Sequence, residues 1–349
     1  MLKKIGIAVG VLIVALIAFV VFTFQSTGYF RKIDPVNTFG EVYSTINLPG
    51  VEDLALARED SLLILSVDDR AARRDGKEGV KGLYLVDLRD ENLTPVSLTE
   101  EIDFPFFPHG ISLFQLDSAR YGVMAINHVD GKHTVESFLL EGKKLTHLKT
   151  IKGTLLISPN DLVMMSPEAF YYTNDHGNTS GFGIFAENYL GVKASNVGYF
   201  DGNSFRIVAE DFGYANGIQY DFERNLLYVA SSRGFLVRVF EVLITGDLNL
   251  IEDIDVGTGV DNIELDESGK LWIGCHPNLL TFTAYAVGKK EIAPSEIITI
   301  EYQKGESAKI ESVWTDSGEV MSASSVAIPF GDYLFLGNVF DQKMLILKK

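Results

Sequence analysis

The chain has 349 residues, of which 46% are apolar, so it is long enough to bury a substantial core. Its formal net charge of −17 argues against nucleic acid or an anionic lipid surface as a partner. The single cysteine, Cys275, excludes an intramolecular disulfide, so the fold must be stable without one.

An uncharged apolar run opens the chain at residues 5–24 and is long enough to cross a bilayer as a helix. Lys3 and Lys4 precede the run, which favours a cytoplasmic N-terminus. The residues after it offer no good small-x-small cleavage site, which favours an uncleaved signal anchor over a signal peptide. We therefore predict a membrane anchor with its flank over residues 1–32 and one extracytoplasmic domain, periplasmic or extracellular, over residues 33–349.

Six segments of the remaining chain share one plan: a polar residue, a short apolar strand, a turn and a second apolar strand. The segments recur every 46 to 63 residues or so, which suits a propeller blade of four short strands. Alternating and β-branched strands with Gly, Asn and Asp turns favour an all-β fold over helical repeats. The sequence thus predicts an all-β, six-bladed β-propeller. The leading residues of its units are Glu52, His109, Asn160, Asn216, Asn262 and Ser325.

Two sets of polar residues are expected to converge on one end of this propeller. The first strand of each blade lines the central channel, so its leading residue projects at one mouth of that channel. The second strand returns to the same face, so the residues just after it arrive nearby. A site is therefore predicted at this mouth. The second set consists of Asp68, His128, Asp175, His176, His276 and Asn338.

The first-strand set is rich in oxygen donors and has no thiolate, a combination that suits Ca²⁺. Because side chains alternate along a strand, Asp53 and Asp161 point away from this cluster and would share a second, deeper ion. The alternative is that Asn and Asp begin strands because they form Asx turns, which their recurrence at matching positions disfavours. The donors of the first cluster are Glu52, Asn160, Asn216, Asp261 and Asn262.

His109 and His128 belong to one blade, at the start of its first strand and the end of its second. Neighbouring antiparallel strands bring such positions together, so one imidazole would take a proton from water while the other orients it. The alternative is a pair of hydrogen-bonded rim histidines. His133 and His147, in the outer strands, are interpreted as surface residues, and Cys275 as a buried, inert thiol.

At these residues the sequence resembles the paraoxonase/arylesterase family of calcium-dependent lactonases. The resemblance implies a six-bladed propeller with two calcium ions in its central tunnel, an uncleaved hydrophobic N-terminus, and hydrolysis of lactones and aryl esters. Its motifs run in the family's order over nearly the whole of residues 33–349. The matching stretches include VEDLAL, FPHGIS, PNDLVMM, PEAFYYTNDH, VAEDFGYANGI and VDNIELDESGKLWIGCHPN.

The resemblance also implies a role for each matching residue. Calcium would polarise the carbonyl of a small apolar lactone or ester, and a water assisted by His109 and His128 would attack it. The catalytic ion would be held by Glu52, Asn160, Asn216, Asp261 and Asn262. The structural ion would be held by Asp53, Asp161 and the backbone carbonyl of Ile111. The substrate pocket would be lined by Asp175, Tyr214, His276, Val339 and Phe340.

Three features depart from the family. The disulfide that ties the family's first and last strands cannot form, a basic loop occupies residues 66–82, and Tyr214 replaces an apolar aromatic residue. Two other functions stay open at this point: a sugar-lactone hydrolase of the gluconolactonase type, and a non-catalytic propeller that binds other proteins. Apolar residues such as Val339, Phe340 and the FPF run at 104–106 favour an acyl chain over a sugar.

Overall fold

The computed structural model describes residues 2–349, and it confirms the predicted six-bladed β-propeller. Two strands precede the first blade, β1 (Val36–Asn37) and β2 (Glu41–Ile46). The first three blades comprise β3 (Val51–Ala57), β4 (Leu62–Asp68), β5 (Lys81–Asp87) and β6 (Pro95–Ser97); β7 (Pro108–Gln115), β8 (Arg120–Val129), β9 (Lys132–Glu141) and β10 (Lys144–Ile151); and β11 (Pro159–Met164), β12 (Phe170–Asn174), β13 (Ser195–Phe200) and β14 (Phe205–Phe212).

The last three blades incorporate the two early strands. β1 extends the outer edge of the fifth blade, and β2 is the outermost strand of the sixth. These blades comprise β15 (Ala215–Asp221), β16 (Leu226–Ser231), β17 (Leu236–Val242) and β18 (Leu248–Asp255); β19 (Gly259–Leu265), β20 (Leu271–His276), β21 (Ser295–Glu301) and β22 (Lys309–Asp316); and β23 (Ser324–Phe330), β24 (Tyr333–Asn338) and β25 (Met344–Lys348).

The ring closes through backbone pairing. The innermost strand of each blade contacts that of the next, and β23 contacts β3. β2 pairs antiparallel with β25, so the sixth blade joins the two ends of the propeller domain. Cys275 is buried and free, and burial raises the pKa of its thiol well above the ordinary value, as expected of an inert thiol.

The first and second strands of the six blades lie within two residues of the apolar segments of the sequence, such as VEDLAL at 51–56 and LLILSV at 62–67 in the first blade. Second strands such as β4, with the sequence LLILSVD, are buried along their whole length. Neighbouring blades cover both faces of these strands, which explains why they are continuous apolar runs rather than alternating ones. Leu65 of the first blade and Phe335 of the sixth belong to one such shared core.

Within residues 2–349, four helices and one π-helical turn lie outside the sheets. α1 (Leu2–Ser26) is long and apolar enough to cross a membrane, and its apolar side chains are exposed up to its last turn. The others all lie at or near the end of the propeller where the inner strands begin. They are α2 (Arg70–Arg74), α3 (Gly181–Phe185), the π-helical turn Ala186–Leu190, and α4 (Leu279–Ala286).

Candidate active site

The inner strands deliver polar side chains to one end of the propeller axis. Pairing between the first and second strands shifts register near the start of every inner strand, as at Val51/Asp53 and Val260/Ile263. A bulge of this kind breaks plain alternation of side chains. Four of these side chains are at most 4% exposed and line one cavity of about 240 Å³: Glu52, Asn160, Asn216 and Asp261.

Two glycines allow the inner strands to approach closely beside this cavity. A Cβ atom on Gly110 would lie 2.5 Å from the Cα of Asp161. A Cβ atom on Gly217 would lie 2.5 Å from the carbonyl oxygen of Asp261. Both distances are far below van der Waals contact, so the glycines that follow His109 and Asn216 have a packing role.

The amide groups at the base of the cavity are oriented by their nitrogen atoms. Asn262 Nδ2 donates to the backbone oxygen and to Oε1 of Glu52, both at 3.0 Å. Asn216 Nδ2 donates to Ser232 Oγ at 2.9 Å. Asn160 Nδ2 lies 3.4 Å from Asp175 Oδ2. Each amide oxygen is thereby turned away from its nitrogen's partner.

These oxygens are buried and have no hydrogen-bond partner within residues 2–349: Glu52 Oε2, Asn160 Oδ1, Asn216 Oδ1 and Asn262 Oδ1. One unpaired buried oxygen costs about 1–3 kcal/mol, so a cluster of them is unfavourable without a ligand. Burial also raises the pKa of Glu52 and Asp261 above their ordinary values. A cation bound among these atoms would remove both penalties.

The donor set fits a hard cation that accepts neutral oxygens. Across residues 2–349, no group of three or more His, Cys, Asp or Glu side chains is arranged to hold a metal. Amide oxygens would therefore supply more than half of the side-chain ligands. Ca²⁺ accepts carboxylate and amide oxygens together, in flexible geometry and at coordination numbers of about six to eight, so the residues at the base of the cavity fit Ca²⁺.

Asp53 and Asp161 form a second buried acidic pair. Asp53 Oδ2 accepts the N–H of Ile111 at 2.7 Å, and Asp161 Oδ2 accepts the N–H of Ile218 at 2.8 Å. Each carboxylate therefore ties its blade to the next one. Burial, with the charges of Asp161 and Glu52, raises the pKa of Asp53 well above its ordinary value. The contact that Ile111 makes with Asp53 uses its N–H, and a ligand role for the Ile111 carbonyl stays a prediction.

His109 and His128 do lie together, with ring centroids 5.0 Å apart. Burial, reinforced by the charge of Arg70, holds the pKa of His109 well below its ordinary value. Arg70 Nη2 lies 2.8 Å from His109 Nδ1, and His109 Nε2 lies 3.7 Å from Glu52 Oε1. Arg70 comes from the basic loop and is a site residue that sequence reasoning missed.

His133 and His147 are half-buried, so the interpretation of these two histidines as surface residues holds only in part. His133 Nδ1 lies 2.6 Å from His128 Nδ1, directly across the β8–β9 pair. His147 Nε2 lies 3.0 Å from a carboxylate oxygen of Glu136, a residue that is 2% exposed. Both imidazoles take part in hydrogen bonds, and His133 lies near the site because it stands near the start of β9, directly opposite His128.

The five predicted pocket residues divide into lining and supporting positions. Tyr214, His276 and Val339 line the cavity. His276 Nε2 lies 2.8 Å from Asp261 Oδ2, and its ring stacks on Phe282 at 3.8 Å. Asp175 accepts a hydrogen bond from His176, and Phe340 packs behind the ring of Phe282, so these two lie behind the wall.

The opening of the cavity is built by segments that no motif marks. Leu279, Leu280 and Phe282 of α4 line it, together with Thr27 from the residues just after α1. The N–H of Leu279 donates to the Thr27 carbonyl at 3.0 Å, and Arg233 donates to the Ser26 carbonyl at 2.6 Å. Arg31 forms a two-pronged ion pair with buried Glu296, at 2.6 Å for each bond. The N-terminal segment is therefore part of the cavity wall.

Comparison with known proteins gives consistent relatives. A family model described as Arylesterase matches residues 33–346. The chain is 37% identical to human serum paraoxonase/arylesterase 1 over 270 residues, and 32% identical to human serum paraoxonase/lactonase 3 over 269 residues. Each match covers 75% of both chains.

Solved structures share the fold at low sequence identity. A luciferin-regenerating enzyme superposes with a TM-score of 0.53 at 11% identity, covering 90% of this chain and 94% of that one. Regucalcin, a calcium-binding protein from Agrobacterium tumefaciens, superposes with a TM-score of 0.50 at 14% identity, covering 88% of this chain and 92% of that one. At these identities the likeness concerns the fold alone.

Proposed function

The chain belongs to the arylesterase family, and on that basis we propose that it is a calcium-dependent hydrolase of lactones and aryl esters. Membership supports the hydrolysis of a lactone or ester, since the relatives named above are a paraoxonase/arylesterase and a paraoxonase/lactonase. The calcium requirement, the number of ions and the role of each residue are our proposal.

One observation supports the calcium proposal above the others. Four buried oxygens without partners in the described part of the chain belong to residues near the starts of four inner strands, β3, β11, β15 and β19, which converge on one cavity. We propose that the catalytic ion is held by Glu52, Asn160, Asn216, Asp261 and Asn262. A second, structural ion would be held by Asp53, Asp161 and the carbonyl of Ile111.

When bound, calcium would polarise the substrate carbonyl and stabilise the negative charge that develops on its oxygen. The chain's own residues shape the rest of the reaction. Asp261 holds His276 against Phe282, which fixes one side of the cavity. His109 lines the same cavity with His128 beside it, and we propose that the pair assists the attacking water. The group that accepts the proton of this water is an imidazole or a carboxylate such as Glu52 or Asp261.

The cavity wall favours an apolar acyl chain. The cavity is lined by Leu279, Leu280, Phe282 and Val339, together with the aromatic rings of His276 and Tyr214. A sugar lactone would require several polar groups directed at its hydroxyls. Polar side chains such as Asn188 and Arg233 also line the cavity, but the apolar side chains of α4 and Val339 provide a continuous surface for a hydrocarbon chain. We therefore propose small apolar lactones and esters as substrates rather than the gluconolactonase type.

We also propose that α1 anchors the protein in a membrane, with the propeller on the extracytoplasmic side. The exposed apolar side chains of α1 support this proposal, because a helix of this kind is stable only in contact with lipid or another apolar surface. Activity should sediment with membranes and resist a high-salt wash. Recovery of a soluble, fully active form from cells that express the full sequence, with an N-terminus produced by cleavage after residue 25, would contradict the anchor.

The function is tested by a panel of aliphatic lactones and aryl esters, assayed with calcium and after chelation. We expect hydrolysis of both classes, loss of activity in chelator, and recovery when calcium is restored. Hydrolysis that prefers sugar lactones would favour the gluconolactonase type. No hydrolysis of any lactone or ester by the folded protein would favour a non-catalytic propeller.

A further inference from the structure

Arg70 is placed in the active site by a short helix rather than by the recurring strands. It is the first residue of α2, and Asp69 before it caps this helix by accepting the Ala72 N–H at 2.9 Å. The Arg70 side chain is only 9% exposed. The loop over residues 66–82 therefore fixes a guanidinium beside the base of the cavity.

The guanidinium has one close acceptor. Its Nη2 lies 2.8 Å from His109 Nδ1. The nearest oxygens of Glu52 and Asp68 are both 3.9 Å away, and Asp68 is bound more closely by Arg73 at 2.6 Å. Nη1 is buried and has no partner in the described part of the chain. The imidazole of His109 is thus the acceptor that satisfies this buried group.

This contact decides which nitrogen of His109 carries hydrogen. A guanidinium only donates hydrogen bonds, so Nδ1 must accept with its lone pair. In the neutral imidazole the hydrogen then lies on Nε2, the nitrogen nearer to Glu52. The opposite tautomer would place an N–H against an N–H and leave the buried guanidinium without a hydrogen bond, which is unfavourable.

We propose that Arg70 is a positioning residue that holds His109 in the tautomer with hydrogen on Nε2, so that His109 donates a hydrogen bond in the cavity and does not accept the proton of the attacking water. The inference rests on the proposed function. When the water oxygen bonds to the carbonyl carbon and the ester C–O bond breaks, one water proton goes to the leaving oxygen. The other goes to a different base and then to solvent as the product acid ionises.

The tautomer is measured directly by ¹⁵N NMR of the full chain in detergent, with calcium, labelled on its histidine rings. Comparison with His109→Gln identifies the His109 signals. We expect a bare Nδ1 and a protonated Nε2 in the wild type, a mixture of tautomers in Arg70→Met, and the wild-type pattern in Arg70→Lys. Arg73→Met is the matched control on the same helix, because Arg73 contacts Asp68 and not His109, and its pattern should stay unchanged.

Two substitutions of His109 test the donor role in hydrolysis. The amide nitrogen of glutamine takes the place of Nε2, whereas that of asparagine takes the place of Nδ1. We expect His109→Gln to keep kcat within about tenfold of the wild type, and His109→Asn to lose about 100-fold or more, the usual effect of removing one such donor. Thermal melting of both variants checks that they fold.

Three results would overturn the inference. One is a hydrogen on Nδ1 of His109 in the calcium-loaded wild type. Another is an equal loss in His109→Gln and His109→Asn, which would make His109 the proton acceptor. The third is no loss in either variant, which would make its hydrogen bond irrelevant. If the wild type hydrolyses nothing, the proposed function fails, whereas the NMR result still reports the tautomer.

Discussion

The base and the opening of the cavity are built in different ways. The base consists of Glu52, Asn160, Asn216, Asp261 and Asn262, which recur at the starts of inner strands. The opening consists of Thr27, Arg233 and α4, held by contacts between residues as much as 252 positions apart, such as Thr27 with Leu279. The propeller fold itself fixes the positions of residues that recur at strand starts. The residues of the opening come from segments that occur only once in the chain. We therefore expect the base to control catalysis and the opening to control access.

The largest expected effect is at the base. Asp261→Ala removes an oxygen ligand and a charge from the proposed ion, and it frees His276 from its 2.8 Å contact. We expect kcat/KM to fall about 100- to 1,000-fold for lactones and aryl esters alike, because the term lost is electrostatic stabilisation of the transition state. Steady-state kinetics on both substrate classes measures it, with Asp332→Ala on an exposed turn as the control. A loss confined to one class would contradict this role.

The second effect concerns the stability of the fold around the buried acidic pair, Asp53 and Asp161. Asp161→Asn keeps the shape of the side chain and removes one charge of the buried pair. With calcium present we expect a loss of about 3 kcal/mol in the free energy of unfolding, because a bound cation would lose a charged partner. In chelator the loss should become smaller, because Asp53 and Asp161 no longer repel each other. Part of it should remain, since the amide nitrogen of asparagine would face the backbone N–H of Leu162 or Ile218, both of which donate to the Asp161 carboxylate. Urea unfolding with calcium and with chelator measures both losses, and Asp332→Asn is the control. Equal losses in the two conditions would contradict the second ion.

The third effect is at the opening and should leave chemistry intact. Deleting residues 2–22 removes most of α1 but keeps Ser26 and Thr27 in contact with Arg233 and Leu279. Deleting residues 2–32 also removes those contacts and the ion pair between Arg31 and Glu296. We expect the longer deletion to raise KM several-fold with kcat within about twofold, and the shorter one to change neither. A fall in kcat with unchanged KM would place the N-terminal segment in the chemistry instead.

The smallest effect is a pH dependence of the stability that His176 contributes at the cavity wall. Burial alone would lower the pKa of His176. The hydrogen bond to Asp175 and the charge of Asp175 outweigh burial, so the pKa of His176 is raised above its ordinary value of 6.5. A raised pKa means that the fold favours the protonated ring, so this stabilisation is complete below pH 6.5 and is lost as pH rises through the raised pKa. The stability difference between the wild type and His176→Gln, about 1 kcal/mol or less, should therefore shrink with rising pH. Urea unfolding at several pH values in saturating calcium measures it, and a difference that grows would reverse the sign.

The comparison of base and opening also explains what could be predicted from the sequence. The propeller and the residues of the base recur with a period, so apolar strands and their leading polar residues indicated both. The bulges near the strand starts could not be predicted, because each depends on its partner strand. They explain how consecutive residues both reach the site, since Asp261 lines the cavity while Asn262 contacts Glu52.

Residues such as Arg70, His133 and Thr27 were missed for a different physical reason. Each comes from a segment without a repeat and reaches the site through one specific contact: His109 for Arg70, His128 for His133, and Leu279 for Thr27. The sequence indicated only that the loop over residues 66–82 is basic. Which side chain of that loop would be buried depends on the five-residue helix α2, which is too short to predict.

Calorimetric titration of calcium into the metal-free full chain tests the central claim most directly. We predict two ions per chain, with Asp261→Ala removing one binding event and Asp161→Asn weakening the other. The unpaired oxygens of Glu52, Asn160, Asn216 and Asn262 account for the first event, and the buried acidic pair for the second. A folded, metal-free protein that hydrolyses its substrates and binds no calcium would contradict the account.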